Sequence, residues 1–160
     1  MESESLESRI QKLEDIEEIK QLQIRYVNYL ITGKWDELLD LFDDDASVEL
    51  GSYGLHKGRA ALEKEYKERV ARGHNGHEGD YVVHPLITIN GDKAQGSWLL
   101  YLQKQFPYKL DNGRDEDWAQ AFYDMEYIKK NGKWKISSLK CKTRIWSPRP
   151  PYHPIEQGSP

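Results

Sequence analysis

Cysteine is almost missing from this chain of 160 residues. Cys141 stands alone, so no internal disulfide can form and no thiolate metal site can be built from it. That usage fits a reducing, cytoplasmic setting. Long hydrophobic runs are missing too: no apolar stretch approaches the roughly 18 residues that a membrane span requires. The opening MESESLESRIQKLEDIEE is acidic where a secretion signal would be basic. Basic charge is not in excess either. A formal net charge of -4 and a pI of about 5.8 give no field for nucleic acid or an anionic membrane, so neither is expected as a partner.

What is abundant is aromatic: five Trp and ten Tyr, rings that supply a cavity with walls and a few polar tips. A mass of 18.7 kDa fits one core, so residues 1–148 are expected to form a single domain, with 1–12 a helical extension. The remainder, 149–160 (RPPYHPIEQGSP), is a proline-rich tail expected to run extended over the surface or a partner.

Residues 5 to about 32 place Leu6, Ile10, Leu13, Ile16, Ile19, Leu22, Tyr26 and Tyr29 at three- and four-residue steps, which predicts a long amphipathic helix stopped at Thr32-Gly33. WDELLDLF (35–42) predicts a short second helix, ended by an acidic turn at Asp43-Asp44-Asp45. ASVEL (46–50) alternates like a half-buried strand, GSYGLHKG reads as a turn, and RAALEKEYKERVAR (59–72) as a third helix. His74 and His77 form an H-x-x-H with Glu78 and Asp80 nearby. Metal ligation needs a rigid frame, and HNGHEGD carries glycines, so a solvated loop and no metal site are expected there.

From Tyr81 onward the chain reads as strands: YVVHPLITI, AQGSWLLYLQKQF, WAQAFYDMEYIKK and WKISSLKCKTRIW, the last two joined by Asn131-Gly132, a strong hairpin signal. Helices followed by long antiparallel strands predict an α+β fold, a curved antiparallel sheet wrapped as a cone around N-terminal helices. One residue in this pattern calls for a reason. His84 interrupts an apolar strand with Pro85 directly behind it, and an imidazole taken from water needs either a hydrogen-bond partner or a cavity. Pro85 removes a ladder donor, so the strand should lie at an edge or bulge beside His84. A second bulge is expected at Ser137-Ser138, and on it depends whether Arg144 shares a face with Trp134 and Ile136.

The element order, with ALEKEYKE, HPLITINGDKAQGSWLL and AFYDMEYIKKNGKWKISSLKCKTRIW, resembles the SnoaL-like branch of the nuclear transport factor 2-like superfamily over roughly residues 12–148. The chain is most similar there to small lyases: scytalone dehydratase, bile-acid 7α-dehydratase and hexachlorocyclohexane dehydrochlorinase. The resemblance implies a cone-shaped α+β barrel, commonly trimeric, acting on a small molecule without a cofactor. It also implies a catalytic set: Tyr26 in IRYVNYL, His84 in VVHPLITI as general base, and Arg144 in KTRIW. Trp98, Tyr53, Phe122, Asp124 and Trp146 are candidates for the substrate pocket. The aspartate that pairs with the histidine in the bile-acid and dehydrochlorinase patterns has no counterpart in NYLITG, so Asp124 or Glu49 would have to supply it. The function implied is a dehydratase-type lyase for a fairly apolar, ring-bearing substrate. The alternatives are a non-catalytic ligand-binding or scaffold member of the fold and a cyclase or isomerase using the same histidine.

Overall fold

A computed structural model of the chain describes residues 5–74, 78–105 and 116–148. Helix α1 (Leu6–Thr32) begins where the Ser5 hydroxyl accepts from the Ser8 amide at 3.2 Å. It ends at Gly33, whose φ of 67° lets the chain turn back in the left-handed conformation. Ile19, Leu22, Tyr26, Val27 and Leu30 bury one stripe, whereas Leu6, Ile10 and Leu13 in the first turns are exposed, so that end of the helix projects. Where the stripe meets the sheet it carries an acid: Asp15 is buried and accepts from Lys129 Nζ at 2.6 Å and Trp134 Nε1 at 3.0 Å.

Helix α2 (Trp35–Leu39) is shorter than the sequence suggests, and the three aspartates do not form a turn. They belong to strand β1 (Phe42–Leu50), which pairs in parallel with the last strand, β6 (Lys133–Pro148). Lys130 binds Asp43 at 2.6 Å, and the Ile136 amide donates to the Leu41 carbonyl, so pairing across the fold overrides the local preference of an acidic run for a turn. The turn GSYGLHKG contains a short strand, β2 (Leu55–Lys57), antiparallel to β1. The expected third helix is α3 (Arg59–Lys64), a π-helical stretch Glu65–Val70 and the short α4 (Ala71–Gly73).

Strands β3 (Glu78–Asn90), β4 (Lys93–Gln105) and β5 (Glu116–Lys130) complete a six-stranded sheet in the order β2-β1-β6-β5-β4-β3. Every adjacent pair except β1–β6 is antiparallel. The fold is therefore mixed α+β, with N-terminal helices held by a curved sheet that does not close. Asn131 and Gly132 both have positive φ, as a two-residue hairpin requires.

The inner face alternates Ala121, Tyr123, Met125 and Tyr127 along β5. On β4 Gly96 leaves room for a neighbour: a Cβ there would lie 3.0 Å from the Tyr127 ring and press on it. The space it leaves admits a buried chain from Trp98 Nε1 to the Tyr127 hydroxyl (3.0 Å) and on to Gln23 Oε1 (3.1 Å).

Candidate functional site

The helices and the inner face of the sheet leave a cavity of about 480 Å³, the size of a small-molecule site. Burial along the inner face of β4 locates its open end: Trp98 and Leu100 are buried, Leu102 and Lys104 only partly so. A wider groove of about 770 Å³, between α1 and the β5–β6 hairpin, is walled by solvated charges such as Glu14, Glu17 and Lys133. The smaller cavity is where reactive groups converge.

Two buried tyrosines, Tyr26 and Tyr123, line this cavity, and a third, Tyr66, backs them. Tyr26 from α1, Tyr66 from the π-helical stretch and Tyr123 from β5 are all buried, and the Tyr26 and Tyr66 hydroxyls lie 2.9 Å apart. The Tyr26 and Tyr123 rings meet edge to face, with centroids 6.1 Å apart. Burial raises all three phenol pKa values well above the ordinary one, so they stay protonated and act as hydrogen-bond donors. Cys141, also on the wall, is pushed up to about 11 by burial and by the nearby Asp80 carboxylate, so it stays a thiol at neutral pH.

The same cavity is lined by an imidazole and a carboxylate. His74 follows α4, and its Nδ1 donates to the Val70 carbonyl at 3.0 Å, the tautomer that this bond assigns. Its ring packs edge-on against Trp35. Nε2 is thereby left as the basic nitrogen, 3.6 Å from Oδ2 of Asp80. Asp80 enters from the start of β3, and its side chain is 2 % exposed. Its other oxygen, Oδ1, is buried with no hydrogen-bond partner among the described residues. At the rim, Arg69 lies over the Tyr53 ring, 3.6 Å from its centroid, and binds Glu65 through Nε and Nη2. The second carboxylate oxygen of Glu65 also lies 3.3 Å from His56.

Of the residues singled out from the sequence, Tyr26 and Tyr53 line this cavity. Trp98 faces inward but is packed in the core against Tyr127 and Gly96. His84 is exposed, not buried, and its place in the backbone explains why. Val83 pairs with Leu99 and Leu86 with Ser97, so His84 and Pro85 together face Trp98 alone. This is the expected bulge, on an edge strand, and His84 takes a φ of 54° in it. Strict alternation would have put His84 inward with Asp80 and Val82; the bulge turns it out. Arg144 has the same history. The Gln120–Ile145 and Ala121–Thr143 pairs leave it as the extra residue of a second bulge, exposed and bonded to Gln120 at 2.9 Å. Phe122 and Asp124 are exposed on the outer face, Asp124 paired with Lys142 at 2.5 Å. Glu49 pairs with Lys140, and the Trp146 side chain lies outside the described residues, as does His77.

Sequence reasoning missed His74 and Asp80 because HNGHEGD read as solvated loop. Strand β3 starts at Glu78, three residues earlier than its apolar run, and a usable signal was present: Asp80 keeps the parity of Val82, Ile87 and Ile89 once the bulge is counted.

This architecture of helices against an open, curved sheet, with a lined cavity between them, is that of the nuclear transport factor 2-like superfamily. The chain belongs to the SnoaL-like domain family, whose model matches residues 11–140. Among solved structures it is similar to the hexachlorocyclohexane dehydrochlorinase LinA-type3 of Novosphingobium barchaimii LL02, at 20% identity and a TM-score of 0.78, covering 91% of this chain and 97% of that one. A scytalone dehydratase candidate from Novosphingobium aromaticivorans matches at 18% identity and a TM-score of 0.73, over 92% and 97% of the two chains. A protein of unknown function from Mycobacterium tuberculosis matches at 21% and 0.70, over 84% and 74%. At these identities the likeness is one of fold. No described helix is long and apolar enough to cross a membrane.

Proposed function

We propose that the protein is a cofactor-independent lyase of the dehydratase type, with His74 rather than His84 as its general base. The observation that carries the reading is the His74–Asp80 pair, 3.6 Å apart in a cavity also lined by two protonated phenols, Tyr26 and Tyr123, with Tyr66 bonded behind Tyr26. In this mechanism Nε2 of His74 takes a proton from a carbon next to an activating carbonyl or ring. The electron pair left behind forms the double bond, and the neighbouring C–O bond breaks. The departing hydroxide takes a proton from Tyr26 and leaves as water, and the proton that His74 took is handed back to the Tyr26 phenolate, through water at the mouth, before the next turnover. The imidazolium formed at His74 is stabilised by Asp80. The relatives named for dehydrochlorinase and scytalone dehydratase chemistry support an elimination over an addition.

The working form in this reading is a homotrimer in the cytoplasm. Its interface would be the outer sheet face, where Tyr81, Val83, Leu86, Tyr101, Phe122 and Ile145 are all exposed.

The test is proton exchange in heavy water. Cyclic ketones and β-hydroxy ring ketones are incubated with the protein, and loss of the α-proton is followed by NMR alongside product alkene. His74→Ala is expected to lower the rate by roughly a hundredfold or more, as loss of a general base does. Asp80→Asn lowers it less, and His84→Ala leaves it unchanged. Binding of the ring compounds without exchange in any of them would favour a non-catalytic ligand-binding protein. Exchange without alkene would favour an isomerase or cyclase.

A further inference from the structure

The cavity has an acceptor that the protein does not use. Asp80 Oδ2 addresses His74, but Oδ1 is buried with no donor among the described residues, although a carboxylate oxygen removed from water is costly to leave unpaired. The groups that share the cavity with it do not relieve this. The Tyr26 hydroxyl is bonded to Tyr66 behind it, the Tyr123 ring packs against Tyr26 without reaching Oδ1, and the Cys141 thiol is a weak donor. The cations nearest the opening are engaged elsewhere: Arg69 holds Glu65, and Lys104, which stands opposite Glu78 in the sheet register, donates to the Gly73 carbonyl at 2.9 Å. A buried carboxylate thus stands in the cavity wall with one oxygen unpaired among the described residues, while Arg69 is neutralised by Glu65 and Lys104 is tied to a backbone carbonyl.

We propose that the ligand is an uncharged ring compound whose hydroxyl donates to Oδ1 of Asp80. This rests on the reading of the cavity as the functional site and adds a substrate class to it. Asp80 then touches both base and substrate, so the hydroxyl contact sets which ring carbon stands in front of His74 Nε2. An anionic ligand would meet the Asp80 charge, with Arg69 already held by Glu65 and Lys104 anchored to the Gly73 carbonyl at the rim. A ligand of the same shape without a donor would leave Oδ1 unpaired, and buried polar groups discriminate most strongly in that situation.

Three fluorescent probes of nearly equal size separate these terms: 2-naphthol, 2-methoxynaphthalene and 2-naphthoate. Titrated against the wild-type protein below the pKa of the naphthol, 2-naphthol is expected to bind roughly tenfold to a hundredfold more tightly than 2-methoxynaphthalene, the range for a hydrogen bond to a charged group. 2-Naphthoate should be the weakest of the three. In Asp80→Ala the naphthol preference should collapse to about twofold and naphthoate should gain; Asp80→Asn, which keeps the shape and an acceptor, should retain part of the preference and lose the bias against naphthoate. Equal binding of 2-naphthol and 2-methoxynaphthalene by the wild type overturns the inference while leaving the lyase reading to the exchange assay. A preference for naphthoate overturns it in the same way. If none of the three binds, the cavity is not a ligand site and both readings fall together.

Discussion

Cys141 is the lone thiol and stands in the cavity wall, which makes it a chemical probe of that wall. Its pKa is about 11, raised first by burial and then by the charge of Asp80. At pH 8 a free thiol of pKa about 8.5 is roughly one-quarter thiolate, whereas one of about 11 is roughly one part in a thousand. The deficit is about 200-fold. A more basic thiolate is intrinsically more nucleophilic, by a Brønsted coefficient of about 0.4–0.5 over about 2.5 pKa units, which returns a factor of about 10 to 18. Alkylation of Cys141 by iodoacetamide should therefore run about 11- to 20-fold slower than that of a free thiol, before any further loss from restricted access.

The pH profile is the sharper observable. A free thiol levels off near pH 9, but the rate at Cys141, read by intact mass, should still climb nearly tenfold per unit between pH 8 and 10. In Asp80→Asn one of the two causes of the raised pKa is gone, so the curve should shift to lower pH and the rate at pH 8 should rise. A profile that levels off at pH 8.5–9 in the wild type would refute the placement of Cys141 against an apolar, carboxylate-bearing wall. A profile unmoved by Asp80→Asn would refute the proximity of the two groups.

The Asp15 site links α1 to the β5–β6 hairpin. Burial disfavours its charged form, but bonds from Lys129, Trp134 and Gln11 outweigh that and hold its pKa below the usual carboxylate value of 3.8. Its stabilising contribution is complete above about pH 4 and is lost as pH falls through the depressed folded value. Asp15→Ala should cost about 2–3 kcal/mol in urea unfolding at pH 7 and flatten the acid limb below pH 4; an unchanged limb would assign that limb to another group. His84 occupies a left-handed backbone position at φ 54°, so His84→Gly should stabilise the fold by up to about 1 kcal/mol, and a loss of stability would mean that the imidazole makes a contact worth more than its strain. On the outer face, Leu86→Asp with Phe122→Lys should convert a wild-type trimer into monomer by light scattering. A wild-type monomer at high micromolar concentration would remove the trimer proposal.

The fold was legible because its signals were local and redundant. The stripe on α1, the glycine that ends it and the Asn131-Gly132 hairpin are each decided by a few adjacent residues. The errors lie where a distant partner decides. Asp43-Asp44-Asp45 becomes strand because β6 and Lys130 wait across the fold, and the parallel β1–β6 pairing has no sequence signature of its own. The site was less legible for a different reason. Tyr26 sits on a helix whose period runs unbroken, so its face could be counted; the other two residues assigned to catalysis by resemblance sit on strands, where one extra residue reverses every face beyond it.

Those reversals have a direction. On β6 the irregularity at Ser137 sits between Ile136 and Leu139, which stay buried by skipping a residue, and this sets Cys141 and Thr143 toward the cavity; the next bulge then ejects Arg144. On β3 the bulge ejects His84 and Pro85 while keeping Val82 and Ile87 against the core. In both strands the residue displaced is the polar one and the residues retained are apolar, as burial energetics demand. Along β3 the polar group that remains inside, Asp80, does so before the bulge, at the open end of the cone. There Asp80 has the His74 imidazole beside it, and Lys104 can run its stem along the wall to the carbonyl of Gly73. The carboxylate and basic side chains that line this cavity, Asp80, Arg69, His74 and Lys104, thus gather in its mouth-side half, whereas an acid at the other end of the cone, Asp15, is kept by the Lys129 and Trp134 bonds that match it.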